Sequence, residues 1–458
     1  MRIILKDFRI IDEETDRSGT VIIEDGIITE ILPAGASLSE RDSSAGMLID
    51  GKGLSPSNAP PVLMPAFVDL HAHFRDPGPF ENDASLPSEV SLPSKVSPLA
   101  EVLESASLAA VAGGFGTVVC MANTRPATDS VEKAAALKAR SDTLGLIDLY
   151  PVISLTKGME GKELTALSAI APGSGLLMLS EDGKDIVDDD LFLAAMTEAK
   201  RIGIPISCHC SLYDDENRDV SRVIELGKKA LCHIHIAHVS TKEAIETIRQ
   251  AKAAAKAELA AAPAEGGFKL SCEAMPHNIC LTKEDAARLG ETTHGRVNPP
   301  LRSEEDRKAL IQALADGTVD AIATDHAPHS QAGKEAGAPG FSGFENAFAA
   351  VFTELCRDSA SSAISLKDLS SLMSARPARL LFGNSSKDCS CDHNCECSCG
   401  RILPGCRADL VIVDTEASWV VEPSAFKSRG KNSPFAGRKL YGKVLMTLHR
   451  GKVVYCNV

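Results

Sequence analysis

The sequence predicts an α/β protein in which a (β/α)8 TIM barrel carries a small β-sandwich domain built from both termini. Two observations carry this prediction. Short apolar runs alternate with amphipathic or Ala-rich stretches through the centre of the chain, and alternating β-type patterns occupy both ends. Strands that alternate with helices are typical of βα units and a parallel sheet. At 458 residues the chain is long enough for such a barrel and an accessory domain.

The composition is that of an ordinary globular chain, with 44% hydrophobic and 24% charged residues. A net charge of −14 argues against nucleic acid or an anionic membrane as the main partner. No apolar run approaches the roughly 20 residues that a membrane-spanning helix needs, and the N-terminus lacks the long apolar core of a signal peptide. We therefore expect a cytoplasmic protein that acts on a small molecule.

The two ends of the chain share one pattern. Residues 1–61 contain alternating apolar segments separated by turns, and residues 400–458 repeat this arrangement. Such alternation suits antiparallel strands with one buried face. We assign 1–61 and 400–458 to a single β-sandwich domain.

The centre of the chain, residues 62–385, is assigned to the barrel. Its candidate strands are 62–70, 116–121, 147–153, 175–180, 204–208, 233–237, 268–274 and 320–324. Eight βα units over roughly 260 residues match the usual size of this barrel. Catalytic groups of the fold gather at the carboxyl ends of the strands, so every candidate ligand can be compared with a strand end.

The first candidate strand ends in His71-Ala72-His73, and Arg75 follows. Residues i and i+2 of a strand point to the same side, so both imidazoles face one point in space. Neutral imidazole is a favoured ligand of zinc and similar divalent metals. A lone His-x-His pair is more often two unrelated histidines in a half-buried strand, so the other strand ends decide its meaning.

Four further strand ends carry metal-binding residue types. Glu181 and Asp182 follow the strand 175–180, and the remaining candidates are His209, His238 and Asp325, the last followed by His326 and His329. Each residue alone would more often be a satisfied structural group. Their recurrence at strand ends that meet on one side of a barrel predicts a metal site.

The number of candidate ligands predicts two metals. Four histidines and two carboxylates exceed the ligand set of one catalytic zinc, which typically keeps three protein ligands and a water. They suit two cations that share a bridging carboxylate and a hydroxide, because such a pair activates water and polarises a carbonyl. Asp325 would accept the proton of the hydroxide and pass it to the leaving nitrogen.

These motifs resemble the amidohydrolase superfamily and, within it, the dihydroorotases of the bacterial class I type. The resemblance covers nearly the whole chain. Its most specific stretches are 71–78, 113–117, 120–124, 238–242, 298–302, 324–329 and 431–437.

The resemblance implies two zinc ions per chain. His71, His73 and Asp325 would hold the first, His209 and His238 the second, and Asp182 would bridge them. Many relatives use a carboxylated lysine as the bridge, but no lysine lies between Gly175 and Asp182. The bridge is therefore expected to be a carboxylate, and Asp182 fits the family pattern better than Glu181 because it directly precedes the glycine.

The resemblance also implies a reaction, the reversible cyclisation of N-carbamoyl-L-aspartate to (S)-dihydroorotate in de novo pyrimidine (UMP) biosynthesis. Arg75 would grip the substrate carboxylate bidentately, with Asn123, Asn298 and His329 as further contacts. The competing interpretations are a weak surface ion pair for Arg75 and turn-forming roles for the asparagines. A homodimer, and an association with aspartate transcarbamoylase, are expectations that no residue pattern tests.

Two alternatives stay open. Other cyclic amidohydrolases, such as hydantoinases and allantoinases, share the His-x-His and the last-strand aspartate, but usually have the bridging lysine and lack the pair Arg75 and Asn123. A non-catalytic dihydroorotase-like scaffold of aspartate transcarbamoylase is disfavoured because such proteins lose metal ligands, whereas all six candidates are present here.

Five of the 14 cysteines crowd between Cys389 and Cys399, and we assign 386–399 to a Cys-rich insertion. Thiolates this close can hold a soft metal, but their spacing lacks the paired C-x₂-C of zinc sites. A redox-sensitive surface loop is the favoured interpretation. Residues 83–97 form a second irregular insertion without an assigned role.

Overall fold

The computed structural model describes residues 1–37, 46–55, 57, 59–76, 101–261, 267–357, 363–383 and 400–458. The predicted Cys-rich insertion and residues 83–97 lie outside these ranges. Among the helices that the structure describes, none is long and apolar enough to cross a membrane.

The terminal segments form one sheet. Numbered in chain order, its strands are β1 (Arg2–Ile11), β2 (Asp16–Glu24), β3 (Ile27–Pro33), β4 (Met47–Asp50), β5 (Val62–Pro65), β14 (Leu410–Val420), β15 (Lys439–His449) and β16 (Lys452–Cys456). Their order is β16-β15-β14-β5-β1-β2-β3, with β4 beside β1. β5 runs parallel to β1 and antiparallel to β14. It therefore joins the N-terminal and C-terminal strands, and the predicted β-domain built from both termini is confirmed.

The central strands form the predicted parallel barrel. They are β6 (Phe67–Ala72), β7 (Phe115–Cys120), β8 (Asp148–Pro151), β9 (Leu179–Ser180), β10 (Ile206–Cys208), β11 (His233–Ile236), β12 (Lys269–Ala274) and β13 (Ala321–Ile322). β6 to β8 pair in one group and β9 to β13 in another. Parallel bridges from Ile153 to Leu179 and from Ala72 to His326 join the two groups, so the sheet closes on itself.

Helices surround the barrel. They are α1 (Leu103–Ala112), α2 (Val131–Leu144), α3 (Asp189–Ile202), α4 (Glu216–Ala230), α5 (Lys242–Ala261), α6 (Pro276–Cys280), α7 (Lys283–Leu289), α8 (Glu304–Ala315), α9 (Gln331–Glu335), α10 (Phe344–Leu355), α11 (Leu366–Ser370) and α12 (Arg376–Phe382). A single π-helical turn, Ser371–Ala375, links α11 to α12. Short 3₁₀ turns occur at Lys157–Met159, Leu167–Ala169 and Pro423–Ala425.

The prediction of one strand over 62–70 is wrong. The chain leaves the terminal sheet after Pro65, where the Ala66 amide donates to Asp409 O at 2.9 Å, and enters the barrel at Phe67, whose amide donates to Gly114 O at 2.9 Å. An unbroken apolar run hides this change because both sheets bury their strands here. The division of the chain into a terminal β-domain, a barrel over 62–385 and a Cys-rich insertion remains a prediction. Val62–Pro65, at the start of the predicted barrel segment, pairs with the terminal sheet.

The barrel interior forms the floor beneath the strand ends. Val68 and Leu70 of β6 pack with Val119, Met275 and other buried side chains, and Leu381 of α12 contributes to the same cluster. Asp69 and His71 of the same strand are also fully buried. The pairing register of β6 with β7 shifts between Asp69 and Ala72, so His71 lies at an irregular position of the strand.

Candidate metal centre and active site

The six predicted metal ligands converge at the carboxyl ends of the barrel strands. His71 is the last residue but one of β6 and His73 follows the strand, while the others lie one to three residues beyond β9, β10, β11 and β13. Two groups have ligand atoms within 4.8 Å of one another: the first is His71, His73 and Asp182, and the second is Asp182, His209 and His238. Asp182 belongs to both groups, which is the arrangement expected of a residue that bridges two metals.

Distances around Asp182 describe a compact centre. Its Oδ1 lies 3.3 Å from His71 Nε2 and 3.9 Å from His238 Nε2, and its Oδ2 lies 3.5 Å from His73 Nε2. The rings of His209 and His238 are 4.5 Å apart. Asp325 Oδ1 lies 3.0 Å from His73 Nε2 and 3.8 Å from His71 Nε2. Both carboxylates are therefore within 4 Å of the same two imidazoles.

Three site residues have an unusual backbone. His238, Asp325 and Arg75 adopt φ values of +35°, +46° and +56°. Residues with a Cβ rarely occupy this region, and they tend to do so where the surrounding structure fixes them for function. Each of the three follows a strand closely, so the left-handed turn ends the strand and redirects the chain at the barrel mouth.

The electrostatics of the centre favour ionised carboxylates. Burial raises the pKa of Asp182, but the nearby His71, His238 and His209 outweigh burial and hold that pKa well below its usual range. Burial likewise opposes ionisation of Asp325, yet the hydrogen bond to His73 and the charge of His71 lower its pKa. Both carboxylates are therefore available in the ionised form that binds a cation.

Three buried atoms at this point fit a metal. His71 Nε2, His238 Nε2 and Asp182 Oδ1 are buried and have no hydrogen-bond partner among the described residues. A buried polar atom without a partner is costly, and a bound cation would supply the missing partner of all three atoms. Imidazole nitrogens and a carboxylate oxygen form the donor set that zinc and related divalent ions accept.

The outer nitrogens of three histidines have their own partners. His71 Nδ1 lies 2.8 Å from Glu273 Oε1, His73 Nδ1 lies 2.8 Å from Asn123 Oδ1, and His209 Nδ1 lies 2.8 Å from Ser211 Oγ. A hydrogen bond at one ring nitrogen fixes the tautomer and leaves the other nitrogen free for a metal. In all three rings, Nε2 is left to face the centre.

The predicted substrate residues lie at the rim of this centre. Burial lowers the pKa of Arg75, although the charges of Asp325 and Asp182 oppose this change. Its Nε is buried and has no hydrogen-bond partner in the part of the chain that the structure describes. The neighbouring Asp76 holds the backbone, because it pairs with Arg140 at 2.7 Å and accepts the Leu103 amide at 3.1 Å. Arg75 is thus presented by a fixed segment.

The two asparagines contact the metal-binding residues. Asn123 Nδ2 lies 3.3 Å from Asp182 Oδ2, in addition to the contact of its oxygen with His73. Asn298 Nδ2 lies 3.4 Å from His209 Nε2. Both amides therefore touch the cluster from the side, and their contact with a substrate remains a prediction.

His329 lies farther out and is held by two neighbouring segments. Its amide donates to Asn432 Oδ1 at 3.2 Å, and its Nε2 lies 2.7 Å from Pro339 O. Burial, together with the charge of Arg75, lowers the pKa of His329 to about 4. The neutral ring can therefore donate Nε2–H to Pro339 O, and its contact with a substrate also remains a prediction.

Comparison with known proteins places this geometry in a family. The amidohydrolase family model matches residues 62–454. A dihydroorotase of Clostridium botulinum is 36% identical over 463 residues, covering 99% of this chain and 100% of the relative, and a dihydroorotase of a Geobacillus species is 32% identical with 99% of both chains covered. The chain belongs to the amidohydrolase family, among the dihydroorotases.

The solved structures agree on the fold. An L-hydantoinase from Arthrobacter aurescens superposes with a TM-score of 0.74 over 100% of this chain and 97% of its own, at 23% identity. At that identity the likeness shows the barrel and β-domain architecture alone. Like other dihydroorotases of the amidohydrolase family, the protein is a hydrolase that acts on cyclic amides, and the histidine and aspartate groups are where this metal-dependent family would bind its metal.

Glu273 is a buried acid that contacts the candidate metal centre, and the sequence patterns did not single it out. It lies inside β12 between His71 and His235, with its Oε2 3.1 Å from His235 Nε2. His235 Nδ1 in turn lies 2.8 Å from Ser271 Oγ. In the sequence, Glu273 is an acid in the middle of an apolar strand, and a search restricted to strand ends passes over it.

Lys334 is a second residue that the sequence patterns did not reveal. Its side chain is fully buried, and Nζ donates to the carbonyl oxygens of Arg296, Ala338 and Gly340, each at 2.9 Å. Burial lowers its pKa to about 8. These carbonyls belong to the segments beside Asn298 and His329, so one ammonium ties together two edges of the candidate substrate site.

A third group with metal-ligand chemistry, Asp148, Asp409 and His449, lies between the barrel and the terminal sheet. Arg407 pairs with both aspartates, and Arg450 NH2 lies 2.7 Å from Asp148 Oδ1. Two guanidinium groups balance the two carboxylates, so this cluster joins the sheets as an ion network without needing a metal.

Proposed function

We propose that this protein is a zinc-dependent dihydroorotase that catalyses the reversible cyclisation of N-carbamoyl-L-aspartate to (S)-dihydroorotate. The observation that carries the proposal is the position of Asp182 between two groups of histidines. Relatives that match over the full length of the chain support the choice of substrate.

The proposed ligands divide around Asp182. His71, His73 and Asp325 would hold one zinc ion, and His209 and His238 would hold the other, with Asp182 shared. A pair of bound divalent ions supplies an activated water at neutral pH and polarises the carbonyl of the cyclic amide. The protein keeps these six side chains buried and partly oriented by their neighbours, which limits reorganisation when metal binds.

Asp325 is proposed as the general acid and base. Its low pKa keeps it ionised at rest, so it can accept a proton from the attacking water. In ring opening, Asp325 then delivers that proton to the leaving ring nitrogen. In ring closure, it takes a proton from the carbamoyl nitrogen as that nitrogen forms the C–N bond to the side-chain carboxyl carbon, and it returns the proton to the oxygen that leaves as water.

Arg75 is proposed to bind the substrate carboxylate. A planar guanidinium can make two parallel hydrogen bonds to a carboxylate, and this geometry selects the acid over an uncharged ring. Two observations support this role: Arg75 Nε has no hydrogen-bond partner among the described residues, and the neighbouring Asp76 is fixed by Arg140. Asn123, Asn298 and His329 are proposed to complete the contacts with the ring and the carboxylate.

We further propose that the protein acts in pyrimidine biosynthesis in the cytoplasm, as a homodimer. Association with aspartate transcarbamoylase belongs to the same proposal. Gel filtration with light scattering tests the dimer, and co-purification tests the association.

The metal proposal is tested by counting metal and measuring turnover in the same samples. The purified protein is stripped with a chelator, reloaded with Zn²⁺, and assayed with L-dihydroorotate. Two zinc ions per chain and recovery of activity in step with the second ion are expected. The variant Asp182→Ala should lose the zinc binding and the activity. The variant His294→Ala, which lies outside the cluster, should retain the zinc binding and the activity. Fewer than one metal per reloaded chain would contradict the proposal.

A further inference from the structure

We infer that Ser211 and Asp185 are positioning residues that fix the ring of His209 through a chain of two hydrogen bonds. Ser211 Oγ lies 2.8 Å from His209 Nδ1 and 2.9 Å from Asp185 Oδ2. The Ser211 amide also faces Asp185 Oδ1 at 3.4 Å. The inference rests on the proposed metal centre, in which His209 is a ligand.

Asp185 and His209 determine which atom donates in each of the two hydrogen bonds to Ser211. Asp185 accepts hydrogen bonds, so the Ser211 hydroxyl donates to it and accepts from His209 Nδ1–H. Burial and the nearby Asp219 raise the pKa of Asp185 only to about 6, which leaves it ionised above neutral pH. At the other face of the ring, Asn298 Nδ2 lies 3.4 Å from His209 Nε2 and can donate to it. Both contacts favour the tautomer in which Nδ1 carries the proton and Nε2 carries the lone pair that a metal would bind in place of Asn298.

The same loop supplies the bridging carboxylate and this support. Asp182 and Asp185 both follow β9, so one loop touches both the shared point of the cluster and His209 through Ser211. Arg222 of α4 holds this loop, because its NH2 donates to Ile186 O at 2.7 Å. The far side of Ser211 is also fixed, since the Leu212 amide donates to Asp219 at 2.6 Å.

The two hydrogen bonds from His209 to Ser211 and from Ser211 to Asp185 explain how His209 is oriented without a carboxylate next to it. His71 has a direct carboxylate partner in Glu273. His209 has only a hydroxyl, which is a weaker acceptor than a carboxylate when it stands alone. Because the hydroxyl donates to the carboxylate of Asp185, its oxygen becomes a stronger acceptor for His209 Nδ1–H. Removing Ser211 or Asp185 should weaken binding of the metal on the His209 side and leave the other metal in place.

The test measures zinc affinity directly. Wild-type protein and the variants Ser211→Ala, Ser211→Thr and Asp185→Ala are titrated with Zn²⁺ against a chromophoric chelator, and the visible spectrum of the Co²⁺-loaded protein is recorded. Ser211→Ala and Asp185→Ala should each weaken one of the two sites by about 10- to 100-fold and change its Co²⁺ spectrum. Ser211→Thr, which keeps the hydroxyl, should stay within about threefold of wild type. The double variant should be no weaker than Ser211→Ala, because the two residues act as one unit.

Ser221→Ala is the matched control, since the Ser221 hydroxyl donates to Asn217 O at 2.8 Å within α4. Equal affinity of both sites in wild type and Ser211→Ala, with an unchanged Co²⁺ spectrum, would overturn the inference and leave the proposed function standing. Weakening of both sites together in every variant would also overturn it, since a general disturbance would then be the cause. Absence of metal binding by the wild type would overturn the function and the inference together.

Discussion

Asp325 Oδ1 lies 3.0 Å from His73 Nε2, so the last strand of the barrel and the first meet through a side-chain contact at the centre of the site. The backbone repeats this contact, because the His73 amide donates to His326 O at 2.8 Å. Closure of the barrel therefore brings together two residues 252 positions apart. Chemistry at Asp325 depends on that closure.

The variant Asp325→Asn should lower kcat by about 10²- to 10⁴-fold, because an amide cannot move a proton between water and nitrogen. The loss should appear with L-dihydroorotate and with N-carbamoyl-L-aspartate, since the same group serves both directions. Asp142→Asn, which changes an exposed carboxylate that pairs with Lys138 on the surface of α2, is the matched control. Full activity of Asp325→Asn would remove it from the mechanism.

The variant Arg75→Ala should lower kcat/KM by the equivalent of about 2–4 kcal/mol, because a charge-assisted contact with the substrate carboxylate is lost. Arg75→Lys should recover only part of this loss, since an ammonium cannot form the two parallel bonds. Arg9→Ala, which breaks an Arg–Asp pair on the terminal sheet, is the control. An unchanged kcat/KM in steady-state assays would exclude Arg75 from substrate binding.

The variant Lys334→Met should lower the free energy of unfolding by about 1–3 kcal/mol, because buried carbonyl oxygens lose their donor. It should also raise KM, since the segments beside Asn298 and His329 are no longer tied together. Thermal unfolding and steady-state kinetics measure the two effects, with exposed Lys308→Met as the control. Unchanged stability together with an unchanged KM would show that Lys334 does not hold these segments.

The stability of the protein should fall between about pH 4.5 and 7 through Glu345. Burial raises the pKa of Glu345 to about 7, although the amides of Lys427 and Ser428 donate to it. Within that window the folded protein binds more protons than the unfolded chain, so the free energy of unfolding decreases as pH rises. Glu345→Gln should flatten this part of the profile of melting temperature against pH. The exposed Glu163→Gln should leave the slope unchanged, and the same slope in Glu345→Gln would contradict the assignment.

The sequence predicted the barrel and the converging ligands because both depend on local pattern. An apolar run marks a buried strand, and a polar residue just after it marks the mouth of the barrel, so His209, His238 and Asp325 could be placed without coordinates. The comparisons confirm the family that this pattern indicates.

Other features depend on contacts that no local pattern records. Glu273 meets His71 across 202 residues of sequence, and Lys334 finds its carbonyl partners only after the segments at Arg296 and at 338–340 fold together. The change of sheet at Ala66 was missed because strands buried on both faces look alike in sequence. Buried networks and sheet switches therefore require the structure, while strand-end ligands do not.

The most direct test of the proposed function compares three substrates on one preparation of the zinc-loaded protein: L-dihydroorotate, hydantoin and allantoin. Of the three, only dihydroorotate offers the fixed ring carboxylate that the proposed Arg75 contact needs. We expect kcat/KM for L-dihydroorotate to exceed the other two values by at least about 100-fold, the equivalent of about 2.7 kcal/mol. Turnover of hydantoin or allantoin at equal or greater efficiency would contradict the proposed function.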